Sequence, residues 1–133
     1  MEGRMLELYE RMNSVAVGGF RCGDCDAECC YFELSGHLPF LTRPEWDLIL
    51  KHTRGVLPPP QVIVCPFLDR AEGSCTIYEV RPFRCRLYYC SRYPGVDQPF
   101  NRYSIMLNPF REEYRVLTQG LPEQTIVELL DEY

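Results

Sequence analysis

The sequence predicts a small α+β domain in which two or three helices and a few short strands surround an irregular centre. Three observations carry that expectation. Helical periodicity is confined to the two ends and to one segment near the middle. The β-favouring runs are short and broken by glycine and proline. All eight cysteines fall between Cys22 and Cys90, leaving none in the first 21 residues or the last 43. Packing alone gives small thiols no reason to cluster in this way. A thiolate-ligated metal centre does, because its ligands must converge on one point. The predicted fold is therefore metal-stapled, a single domain over residues 1–133 with a metal-binding core at about 20–92.

The first helix is predicted over residues 3–14, GRMLELYERMNS, where Met5, Leu8, Tyr9 and Met12 recur at helical spacing. Gly18-Gly19 then turns the chain toward the first cysteine group. Tyr31 to Leu34 reads as a short strand closed by Ser35-Gly36. Thr42 is the predicted N-cap of a second helix, with Pro44 in its first turn and Glu45 at its third position, the capping-box pattern. That helix should run to about Thr53 and stop at Gly55, with Trp46, Ile49 and Leu50 on its apolar face. Leu57-Pro58-Pro59-Pro60 is a rigid connector. Val62 to Val64 reads as a short buried strand running into Cys65, and residues 69–74, DRAEGS, as a turn before Cys75. Thr76 to Val80 makes one helical turn, ended at Arg81 by Pro82. Arg86 to Tyr89 and Tyr103 to Leu107 are β-favouring, either strand or irregular, and Pro94 to Pro99 is loop. A last helix is expected from Pro122 to about Asp131, burying Ile126, Val127, Leu129 and Leu130.

Bulk properties narrow the function. No apolar run approaches the roughly 18 residues of a membrane span, and the charged N-terminus, MEGRMLELYERM, is unlike a signal peptide. The expected location is cytoplasmic, where thiols stay reduced and clustered cysteines bind metal more often than they form disulfides. A disulfide framework would have to select one of 105 pairings. The net charge of −5 argues against nucleic acid as a partner, and no membrane partner is expected. If eight thiolates were shared by two centres of charge +2, the balance would fall further, which makes nearby cations informative. Lys51 is the only lysine among 14 basic residues. Arg81, Arg84, Arg86 and Arg92 crowd around Cys85 and Cys90, where they can screen thiolate charge and donate hydrogen bonds to sulfur.

The cysteines form two groups. Cys22-x2-Cys25-x3-Cys29-Cys30 opens with a knuckle spacing that presents two sulfurs to one metal. Neighbouring side chains in extended backbone point to opposite sides, so Cys29 and Cys30 serve two centres, or a sharp turn brings both to one compact cluster. Cys65-x9-Cys75-x9-Cys85-x4-Cys90 completes the set. Eight thiols suit two four-thiolate sites of mixed membership, holding zinc or iron, the iron as single ions or as a 4Fe–4S cluster. Zinc ribbons, the bacterial ferredoxin run and the classical zinc finger are excluded by spacing. Asp24, Asp26 and Glu28 read as solvated loop residues beside soft thiolates, and His37 and His52 as isolated polar residues. No Ser–His–acid or Cys–His constellation is evident. A thiol oxidoreductase built on Cys22-Gly23-Asp24-Cys25 lacks the βαβ context that such a motif needs.

CGDCDAECC, LTRPEWDLIL and CPFLDRAEGSCTIYEVRPFRCRLYYC together resemble the CxxCxxCC, or YkgJ-like, cysteine-cluster proteins, known as zinc- or iron-chelating domains. The resemblance covers roughly residues 20 to 92, and CxIYExRPxxCR, matching Cys75 through Arg86, is its most specific string. It implies a metal-ligand role for Cys22, Cys25, Cys29, Cys30, Cys65, Cys75, Cys85 and Cys90. Here three residues rather than two separate Cys25 from Cys29, a departure from the family's spacing. A related cluster occurs in flagellin lysine N-methylases, which implies by analogy a metal-dependent enzyme. A structural zinc module that binds a partner protein is the other alternative.

Overall fold

Helix α1 spans Glu2–Asn13 and buries Met5, Leu8, Tyr9 and Met12, the four positions that its periodicity sets on one face. The computed structural model describes residues 1–13, 39–61, 63–87 and 108–132, and the architecture that follows is built from these. Strand β1 (Phe40–Leu41) leads into helix α2 (Arg43–Thr53). Thr42 stands at the N-cap in extended backbone, and its amide donates to Glu45 Oε2 at 2.8 Å. The helix closes where Arg54 and Gly55 enter the left-handed region at φ 56° and 77°, Gly55 donating back to the Leu50 carbonyl at 3.1 Å. The expected second helix and its stop are both present.

The centre is a hairpin followed by two short helical segments. Strands β2 (Leu68–Asp69) and β3 (Ser74–Cys75) pair antiparallel, Leu68 opposite Cys75 and Asp69 opposite Ser74. Asp69 organises the turn between them: its side chain accepts from the amides of Ala71 and Glu72 at 3.0 and 3.2 Å, and its carbonyl from Gly73 at 2.7 Å. Gly73 takes a positive φ of 66°. A 3₁₀ turn over Tyr78–Val80 ends at Arg81, as Pro82 requires. Helix α3 (Phe83–Leu87) follows and takes in Arg86 and Leu87, the described start of the Arg86–Tyr89 segment read as β-favouring or irregular. Its β-branched content is low, and Pro82 starts the helix cleanly because an orphan N-terminal amide loses nothing there. Of the expected buried strand at Val62–Val64, Val62 lies outside the described residues, Ile63 is a bend 61% exposed, and Val64 is buried in an isolated β-bridge.

Helix α4 (Asn108–Leu117) buries Tyr114 and Leu117. Strand β4 (Gln124–Thr125) pairs antiparallel with β1, Phe40 opposite Thr125, and helix α5 (Ile126–Asp131) begins at once behind it. Thr125 caps α5 by accepting from the Glu128 amide at 3.1 Å, while Glu128 accepts from the Thr125 amide at 3.3 Å. The tail helix therefore starts four residues later than its hydrophobic pattern suggested. The fold is a small mixed α+β arrangement, with five α-helices among the described residues. One core joins α1, α2, α4 and α5 to the hairpin, with Trp46, Tyr9, Met5 and Ile49 at its middle. Each such side chain contributes about 1.5–3 kcal/mol of burial free energy, set against the conformational entropy of ordering the chain. No helix of the described residues is long and apolar enough to cross a membrane.

Candidate metal centre

Three of the eight cysteines lie on described backbone, and each sits where local chemistry fixes it. Cys65 is buried in the core, and its carbonyl accepts from the Leu68 amide at 3.0 Å, so a tight turn feeds it into β2. Cys75 is half-buried on β3 and packs against the core. The residue after it locks the hairpin: the Thr76 amide and hydroxyl both donate to the Phe67 carbonyl, at 2.8 and 2.7 Å. Cys85 is half-buried in α3, one turn from the Pro82 carbonyl that accepts its amide at 3.0 Å. All three are thiols rather than half-cystines. Soft sulfur donors held on short turns suit zinc or iron. Cys65 and Cys75 share one hairpin, whereas Cys85 comes from the next helix. Among the described residues no three Cys, His, Asp or Glu side chains converge as a ligand set. Cys22, Cys25, Cys29, Cys30 and Cys90, with His37 and the Tyr31–Leu34 and Tyr103–Leu107 segments, lie outside the described residues. His52 is exposed at the end of α2.

What holds the Cys85 helix is a buried carboxylate. Glu45 is inaccessible to solvent and accepts five hydrogen bonds. Its Oε1 takes the Tyr9 hydroxyl at 2.9 Å and the Phe83 amide at 2.8 Å. Its Oε2 takes the Tyr114 hydroxyl at 2.8 Å, the Thr42 amide at 2.8 Å and the Thr42 hydroxyl at 3.2 Å. Every partner is a donor, the complement of an ionised carboxylate. One side chain thereby ties α1, α2, α4 and the first residue of α3. The Phe83 ring stacks on Tyr114 with centroids 4.0 Å apart and planes 3° from parallel. Burial, and then the Glu45 charge, push the Tyr9 and Tyr114 hydroxyls well above the usual tyrosine range.

The arginines around Cys85 separate into distinct roles. Arg84 is exposed, with both Glu123 oxygens within 3.1 Å of its Nη2. Arg81 folds over the Tyr78 ring at 3.9 Å and donates to the Tyr78 carbonyl at 2.7 Å. Arg86 is buried. It donates from Nε to the Arg81 carbonyl at 3.0 Å, from Nη1 to Asn13 Oδ1 at 2.9 Å and from Nη2 to the Glu79 carbonyl at 2.8 Å. Its guanidinium carbon lies 3.9 Å from the centroid of the Tyr9 ring. Burial, reinforced by Arg81, pulls Arg86 down to about 10, while Tyr9, Tyr78 and Cys85 act in the opposite direction. It remains a cation at neutral pH. Arg92 lies outside the described residues.

The matching family model covers residues 21–106, about two thirds of the chain, and spans all eight cysteines. The chain belongs to the CxxCxxCC family. That family is described as a putative zinc- or iron-chelating domain. No curated protein and no solved structure matches the chain. The CxxCxxCC segment contains Glu45, Cys65, Cys75, Cys85 and Arg86. Tyr9, Asn13 and Tyr114, which bind Glu45 and Arg86, lie outside it on α1 and α4. Glu45 was legible in the sequence only as a helix cap. The signal for its wider role was Tyr9 on the buried face of α1, since a buried tyrosine hydroxyl requires a partner.

Proposed function

We propose that the chain is a cytoplasmic metal-binding protein in which Cys22, Cys25, Cys29, Cys30, Cys65, Cys75, Cys85 and Cys90 ligate zinc or an iron–sulfur cluster. The observation that carries this reading is the family match spanning all eight cysteines. Its support from geometry is that Cys65, Cys75 and Cys85 are thiols presented by a hairpin and a short helix, each anchored to one core. Zinc in such a site supplies a redox-inert crosslink, and an iron–sulfur cluster supplies one-electron transfer. The protein's contribution is to hold the thiolates apart from solvent and in fixed directions, which the Thr76–Phe67 bonds do for Cys75 and the Glu45–Phe83 bond does for Cys85.

Replacement of single ligands tests the assignment. Cys75→Ser and Cys85→Ser are expected to lose metal and to fall in thermal midpoint, because binding free energy in a turn-rich centre is folding free energy. A Cys85→Ser protein that remains folded with its full metal content would show that Cys85 is not a ligand.

A further inference from the structure

We draw no further inference here: the strongest candidate, the exposed proline-rich surface segment between α2 and the hairpin, where Pro59, Pro60 and Gln61 lie open to solvent between Val56 and Ile63, carries nothing because nothing in the structure shows what covers it.

Discussion

Glu45 shows how one residue can carry both local and long-range order. As the third residue of α2 it accepts from the Thr42 amide, an ordinary capping role; as a buried carboxylate it also accepts from Tyr9, Tyr114 and Phe83. Each oxygen faces at least two donors, so an amide at this position would aim its NH2 at donors whichever way it turned. Glu45→Gln should therefore cost about 2–4 kcal/mol, measured as a fall in the urea midpoint; a loss under about 1 kcal/mol would mean that water satisfies these groups. The tyrosines carry a pH signature. Their folded-state values are raised above the ordinary value of 10.0, so their contribution is complete below that pH. Above it the unfolded chain gives up protons that the folded chain retains, and stability falls. Between pH 8 and 11 the wild-type protein should lose stability more steeply than a Tyr9→Phe, Tyr114→Phe double variant. Parallel curves would contradict the burial of these hydroxyls. The sequence revealed the cysteines and placed Tyr9 on a buried face, but the meeting of Tyr9, Glu45 and Tyr114 depends on contacts across 36 and 69 residues, which local pattern cannot encode.

At the scale of elements, what was legible followed periodicity and capping. Helices α1 and α2 were readable because their buried residues recur at helical spacing and because Thr42, Pro44, Glu45 and Gly55 mark both ends of α2. The end of the 3₁₀ turn was readable because Pro82 enforces it. Helix α4 carried a signal that was not used, Phe110, Tyr114 and Leu117 at helical spacing behind Asn108-Pro109; β4 carried none, being a two-residue strand that exists through pairing with β1. The hairpin that presents Cys75 was expected only as a turn. It depends on Gly73, whose φ of 66° is disfavoured for any side chain, although a Cβ there would meet nothing within 4 Å. Gly73→Ala should then destabilise by about 1 kcal/mol through backbone conformation alone, read by denaturant titration. A neutral effect would indicate that the turn relaxes without disturbing the hairpin.

For the whole molecule, the segment matched by the family model is braced by helices beyond it. Helix α1 supplies Tyr9 to Glu45 and Asn13 to Arg86, and α4 supplies Tyr114. Two exposed ion pairs, Arg11 with Glu113 and Lys51 with Glu2, run between the same helices and contribute little, as exposed pairs do. The stabilising links are the buried ones, and they converge on the helix that carries Cys85. The central claim is that this bracing serves a metal centre made by the eight cysteines. Anaerobic purification followed by an absorption spectrum and quantification of zinc, iron and acid-labile sulfide tests it most directly. The account predicts bound metal: either a colourless protein with about two zinc ions, as eight thiolates in four-thiolate sites require, or a brown protein with iron and sulfide. A folded protein containing neither metal would contradict it.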